Sequence, residues 1–314
     1  MKTLRAAVIG VGYLGNFHAQ KYTAIDGVEL VGVVDNDAAR AKEIASALGT
    51  THYTDHRELI GKVDAVSVVV PTQFHHLVAR DFLAAGVHVL IEKPITVTIA
   101  EADELIALAD EKELVFQVGH LERFNPVLVA LEGVLIQPLF IESVRIAPFK
   151  PRGTDVNVVL DLMIHDIELI QYIVKSPVER IDAIGAPVFT GEEDIANARI
   201  VFESGCVANV TASRISLKSE RKMRIFQRDT YLTLDFQNRK VLVAQKGSGE
   251  LFPGVPNVKV NERELGQADA LLNEIESFIA AIREKKPPQV SGRDGKMALE
   301  TALKINASLN RIPR

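Results

Sequence analysis

Between residues 4 and 120 the chain repeats one pattern, a short apolar run, a turn, then a stretch of helical character. The apolar runs are Leu4 to Ile9, Glu29 to Val34, 63–71, 88–94 and 114–120. The intervening helical stretches are Asn16 to Ile25, Ala38 to Leu48, Leu77 to Ala85 and Ala100 to Glu111. Strands and helices alternating at this spacing predict a doubly wound parallel sheet, a Rossmann-type α/β domain. The run VDAVSVVVP is almost wholly apolar, as expected of a parallel strand covered on both faces.

The first turn in this series is Gly10-Val-Gly12-Tyr13-Leu14-Gly15. A lone GxGxxG is weak evidence, but this one follows a strand, opens a helix and is followed by Asp35 at the end of the second strand. The pattern predicts a tight turn at Gly10, close backbone approach to a pyrophosphate at Gly12 and close helix–strand packing at Gly15. The helix N-terminus would supply N–H groups and a positive dipole end. Asp35 suits two free ribose hydroxyls and opposes a 2′-phosphate, which favours NAD; Arg40, nearby, keeps NADP open. The bland reading is a glycine turn in a Rossmann-like protein that binds no dinucleotide.

From about Phe140 the pattern changes to strand-like segments joined by short turns: 196–215 around Glu-Ser-Gly, 222–236 broken at Arg228-Asp229, and 240–246. Short connections favour an antiparallel sheet, so the second domain is expected to be α+β. Two helices close the chain, Ala270 to Arg283 and Lys296 to Leu309. At 314 residues two domains are expected. With no clean linker, the boundary falls near Gly119–Pro126, giving domains 1–122 and 123–314, with the last helix free to pack back on the first.

A net charge of -5 and a pI near 6.0 give no general pull toward nucleic acid or anionic membranes. A single cysteine, Cys206, excludes an intramolecular disulfide framework and a cysteine-rich zinc site. MKTLRAAVIG lacks a signal-peptide core, and no apolar run approaches a membrane span. A reduced, cytoplasmic setting is expected.

Two further features carry chemistry. Glu92-Lys93-Pro94 ends the fourth apolar run, where strand C-termini face the ligand crevice. Lys93 there could stabilise an alkoxide or move a proton, with Pro94 fixing the turn through a trans or a cis peptide; equally, it could be a surface lysine paired with Glu92. Pro71-Thr72-Gln-Phe-His75 ends another strand in the same way, and a lone histidine is more often hydrogen-bonded than catalytic. In DLMIHDIEL, Asp161 and His165 are spaced to share one helix face. The pair could be an oriented general base, two metal ligands or one buried hydrogen bond.

Taken in order, GVGYLGNFHAQ, VVD, PTQFHH, AAGVHVLIEKP, GHLERFNP and DLMIHDIEL resemble the family of glucose–fructose oxidoreductase, inositol dehydrogenase and MocA over residues 4 to about 170. Beyond that the resemblance rests on the α+β pattern. It implies a second domain with an open, mainly antiparallel sheet that supports the substrate site, and a homodimer or homotetramer. It implies catalytic roles for Lys93, Asp161 and His165: His165 as base, Asp161 orienting imidazole or substrate, Lys93 stabilising the alkoxide-like oxygen. The implied cofactor residues are Gly10, Gly12, Tyr13, Leu14, Gly15, Asp35, Asn36, Arg40, Pro71, Thr72, His75, Glu92 and Lys93. The glycine-rich approach to the catalytic helix that many members carry is replaced here by Asp155-Val-Asn157-Val-Val-Leu.

GVGYLGNFHAQKY, GHLERFNP and DLMIHDIEL are most similar to the branch that oxidises the 3-hydroxyl of UDP-N-acetylglucosamine. In that branch the 3-keto sugar goes to an aminotransferase on the way to lipid A. A sugar diphosphate needs cations, and Lys150, Arg152 and Arg214 are candidates, with Arg123 and Asn157 at the rim, beside Lys93 and His165. Clusters such as Arg214 to Arg224 are usually solvated faces or inter-subunit pairs. The competing readings are an inositol or free-sugar dehydrogenase, an NADP-linked reductase, or a non-catalytic NAD-binding regulator. A metal enzyme lacks further ligands in any recognisable pattern.

Overall fold

The computed structural model describes residues 3–131, 133–150 and 156–311. Contacts divide the chain into two units, one of residues up to Phe124 plus Asp269–Met297, the other of Asn125–Ala268 plus the residues from Ala298 onward. A single boundary after residue 122 would have left 269–297 with the second unit.

In the first unit β1 (Leu4–Ile9), β2 (Val28–Val34), β3 (Thr51–Tyr53), β4 (Ala65–Val68), β5 (His88–Glu92) and β6 (Phe116–Gly119) form one sheet. Its order is β3-β2-β1-β4-β5-β6 and every pairing is parallel. The order reverses between β1 and β4, which opens a crevice at their C-terminal ends. The first helices are α1 (Tyr13–Ala24), α2 (Ala38–Leu48), α3 (His75–Ala84) and α4 (Ile99–Glu111). Their ends follow local chemistry. Asp37 accepts the N–H groups of Ala39 and Arg40 to start α2, and Gly49 closes it in the left-handed conformation. Thr98 and Glu101 form a reciprocal capping box on α4. β3 escaped the sequence reading because its three residues are half-exposed or exposed and carry no apolar run.

The second unit starts with a single turn, α5 (Pro126–Val129), and contains α6 (Ile164–Val174). Its strands are β7 (Pro138–Ile146), β8 (Val178–Ala186), β9 (Ile195–Phe202), β10 (Val207–Ser213), β11 (Glu220–Gln227), β12 (Thr230–Asp235), β13 (Lys240–Phe252), β14 (Val255–Glu264) and β15 (Leu309–Arg311). They form one sheet, β14-β13-β12-β11-β7-β10-β9-β8-β15, antiparallel except at β7–β10 and β8–β15. β9 alternates exposed and buried residues, as a sheet with one solvated face requires. The core packs Ile164, Ile167 and Ile170 of α6 among sheet residues such as Ile141, Val210 and Ile225.

Two helices end the chain, α7 (Ala270–Glu284) and α8 (Gly292–Ser308). α7 supplies Leu271, Ile275, Phe278 and Ile279 to the core of the first unit, beside Ala6 and Val8 of β1 and Ala19 and Tyr22 of α1.

Candidate functional site

At the β1–α1 turn the three glycines do different work. Gly10 has φ +87°, and a Cβ there would lie 2.6 Å from the Val69 carbonyl oxygen. At Gly15 a Cβ would fall 1.8 Å from the Gly10 carbonyl oxygen, so helix and turn meet only if no side chain intervenes. Gly12 is the reverse case, with nothing within 4 Å of a Cβ. It stands at the N-cap of α1 with no side-chain cap and no acid in the first turn, leaving the helix N-terminus open to an anion.

Asp35 braces this turn. The Val11 N–H donates to its Oδ2 (2.9 Å) and the Asp37 N–H to its Oδ1 (3.0 Å). Arg40 donates Nε–H to the Val11 carbonyl (3.0 Å) and Nη1–H to Glu43 (2.9 Å), which engages it with the turn and an acid.

A cleft of about 720 Å³ opens over these strand ends. Of the thirteen residues expected at the cofactor, ten line it: Gly10, Gly12, Leu14, Asp35, Asn36, Pro71, Thr72, His75, Glu92 and Lys93. The other three serve from outside the lining. Tyr13 is exposed and stacks edge-on with Phe17 at 5.3 Å, Gly15 is buried beneath the turn, and Arg40 holds it from behind. The Lys93–Pro94 peptide is cis. His75 is buried, with Nδ1 2.9 Å from the Pro94 carbonyl and Nε2 2.9 Å from that of Val70, so it fastens two strand ends. Burial pushes its imidazole below the ordinary value.

Beyond β6 lie His120 and Arg123. His120 is fully buried, and among the described residues neither ring nitrogen has a hydrogen-bond partner. Burial first, then the positive charges of Lys93 and Arg123, lower its pKa to about 3. Arg123, also buried, donates Nη2–H to the Gln289 carbonyl (3.0 Å).

In the second unit, Asp161 lies in a π-helical turn, Val159–Met163, that leads into α6 and His165. Such wide turns recur at functional sites. The turn is held at its start by Asn157, whose side chain accepts from the Leu160 N–H (3.2 Å) and donates to Asn306 (2.9 Å). The rotation of α6 is set by Asp166, which is buried and accepts from Arg145 Nε (2.6 Å) and Ser143 Oγ (2.9 Å) on β7. With Asp166 turned to the sheet, Asp161 and His165 are both half-buried.

The cations expected to hold a diphosphate divide. Arg214 is buried and donates Nε–H to Asp194 (2.8 Å), Nη1–H to the Val156 carbonyl (2.7 Å) and Nη2–H to Thr190 (3.1 Å). Asp194 also accepts the backbone N–H groups of Val188, Phe189 and Thr190. Despite its burial, the Arg214 guanidinium and these N–H groups hold its carboxylate well below the ordinary range. Arg214 and Asn157 therefore serve the fold of this unit. Lys150 is exposed after β7, and Arg152 lies outside the described residues.

No helix among the described residues is long and apolar enough to cross a membrane. The family model described as an oxidoreductase family with an NAD-binding Rossmann fold matches residues 4–120, and the GFO/IDH/MocA C-terminal domain matches 148–232. The chain is 41% identical to the UDP-N-acetylglucosamine 3-dehydrogenase of Acidithiobacillus ferrooxidans, over 98% of this chain and 97% of that protein. It is 27% identical to the myo-inositol 2-dehydrogenase of Thermotoga maritima, over 94% and 93%. The solved structure of the Acidithiobacillus ferrooxidans enzyme superposes with a TM-score of 0.93 over 98% of both chains, at 41% identity.

Proposed function

We propose, for a chain that belongs to the GFO/IDH/MocA family of oxidoreductases, that it oxidises the 3-hydroxyl of UDP-N-acetylglucosamine to a ketone. The observation that carries this reading is the 41% identity, sustained over nearly the whole of both chains, to an enzyme named for that reaction. The chain is an NAD-dependent dehydrogenase acting on CH–OH groups. The open helix N-terminus at Gly12, the close packing at Gly10 and Gly15, and the Asp35 carboxylate at the cleft fit NAD. NAD, when bound, supplies the hydride acceptor.

The chain's own residues handle oxygen and proton. Lys93, at the end of β5, stabilises the substrate oxygen as it becomes alkoxide-like. His165 takes the hydroxyl proton, and Asp161 orients the imidazole or the sugar. The π-helical turn at Asp161 and the Asp166–Arg145 anchor on α6 support this reading. Lys150 and Arg152 are the cations left for the diphosphate once Arg214 is committed to Asp194 and the buried Arg123 to the Gln289 carbonyl. The 3-keto product suits an aminotransferase leading to lipid A precursors, in a cytoplasmic homodimer or homotetramer.

The test is NADH formation from NAD and UDP-N-acetylglucosamine, with a keto-trapping reagent or the aminotransferase present to pull the equilibrium. Turnover that vanishes in His165→Ala supports both substrate and base. Activity confined to inositols or free hexoses, as the 27% identity to an inositol dehydrogenase would favour, keeps the dehydrogenase and sinks the nucleotide sugar.

A further inference from the structure

Beneath the cleft, on the face of the sheet that α1 and α7 cover, lies a buried polar chain that ends on Glu92 of the cleft lining. Tyr22 Oη is 2.8 Å from Ser67 Oγ, Ser67 Oγ is 3.2 Å from His18 Nδ1, and His18 Nε2 is 3.1 Å from Glu92 Oε1. Tyr22, Ser67 and His18 are wholly buried, and Glu92 immediately precedes Lys93. One set of protons satisfies every link: Tyr22 donates to Ser67, Ser67 to Nδ1, and Nε2–H to the Glu92 carboxylate. Running the chain the other way strands the Tyr22 hydroxyl hydrogen and points two lone pairs at each other between His18 and Glu92. With Nε2–H given to Glu92, that carboxylate is the acceptor at the end of the chain.

Glu274 of α7 closes on this end. Its side chain is fully buried, and a carboxylate oxygen lies within 4.8 Å of both His18 and Glu92. Among the described residues neither of its oxygens has a hydrogen-bond partner. A second carboxylate charge here would sit beside the first, on a side chain wholly withdrawn from solvent. Gly119 of β6 leaves the room this needs, since a Cβ there would lie 2.9 Å from Glu92 Oε1.

We propose that Glu274 stands as a neutral carboxylic acid and, sharing its proton with Glu92, is a positioning residue for that carboxylate and so for Lys93. The proton reaches Glu92 by a small rotation of either side chain or through one water. The groups facing Glu274 are His18 and Tyr22 from α1, Glu92 from β5 and Gln117 from β6, whose Nε2–H donates to the Glu274 backbone carbonyl (3.0 Å). Burial first, then the charge of Glu92, raises the Glu274 carboxyl well above its ordinary value, in the same direction as the geometry. The inference rests on the role given to Lys93 above.

The first readout needs no substrate. The infrared difference between the native protein and Glu274→Gln should contain one protonated carboxylic C=O band that shifts in D2O. Glu274→Gln, neutral and still a donor, should keep kcat within about threefold, whereas Glu274→Leu should lose about tenfold or more in kcat with KM for NAD unchanged. Absence of the band, or a Gln variant as slow as Leu, overturns the proposal. So does stoichiometric zinc or manganese bound by the native protein and lost in the Gln variant. If Leu fails to fold, the infrared and Gln results still decide. Full turnover in Lys93→Ala would sink the reading of Lys93 alone and leave the band standing.

Discussion

In the first unit the nucleotide turn is built from backbone and glycines at a strand end, while in the second the polar groups are mostly spent on one another. The cleft over β1 and β4 is made by glycines, an open helix N-terminus, the acids Asp35 and Glu92, and Lys93. The second unit buries Arg214 against Asp194 and Arg145 against Asp166, and leaves Asp161 and His165 half-buried. A dinucleotide asks mainly for backbone shape, which many sequences can build but few side chains can spoil. A particular sugar asks for particular side chains, and these need a scaffold of buried ion pairs to hold their element in register.

Four experiments bear on that contrast, and the largest effect falls in the second unit. His165→Ala should lower turnover by about 10²- to 10⁴-fold, as loss of a general base does, while NAD affinity measured by fluorescence titration stays unchanged. A parallel loss of NAD binding would mean that the helix serves the cofactor instead. Next, Asp194→Asn should cost about 3–5 kcal/mol in denaturant unfolding, because it strands a buried guanidinium. Its surviving folded fraction should keep the native KM for the sugar; a raised KM would return Arg214 to the substrate.

In the first unit, Gly15→Ala and Gly12→Ala should separate fold from ligand. The added methyl at Gly15 meets backbone and should cost roughly 3 kcal/mol of stability or more. The one at Gly12 meets nothing, so the protein should keep its melting temperature and bind NAD more weakly. Equal melting losses would remove the distinction.

The smallest effect is with pH. His120 has a folded-state pKa lowered from 6.5 to about 3, so it contributes stability that is present above 6.5 and lost as pH falls toward 3. The slope approaches about 1.4 kcal/mol per pH unit in the middle of that window and falls off toward either end. Asp194, also lowered, adds stability that is lost only below the ordinary carboxylate range. His120→Phe should flatten the unfolding-versus-pH curve between pH 6 and 4, roughly the upper part of the window, and leave the steeper acid limb to Asp194.

The same contrast governs what could be read from residues alone. The glycine turn, Asp35 and the ends of β4 and β5 were legible because period and turn chemistry are local. The pairings distant in sequence were not: Arg214 and Asp194 are 20 residues apart, and Ser143 and Asp166 are 23 apart. A lysine or arginine bound for an ion pair looks like one bound for a phosphate until strand register is known. His18 and Glu274 escaped for the same reason, since each sits as one polar residue on an apolar helix face. β14 escaped because nearly all its residues are exposed and no period marks it.

The placement of α7 has a consequence for how the protein is made. The first sheet is complete once residue 119 has emerged, but Leu271, Ile275, Phe278 and Ile279, which belong to its core, are encoded after residues 125–268. During synthesis the strands that α7 will cover therefore wait, apolar side uncovered, while residues 125–268 of the second unit are translated. Uncovered apolar surface invites association, so the ribosome-bound chain should be more prone to aggregate, or to engage a chaperone, through this interval than after release. The cleft's chemistry is written near the start of the chain, and its completion is deferred almost to the end.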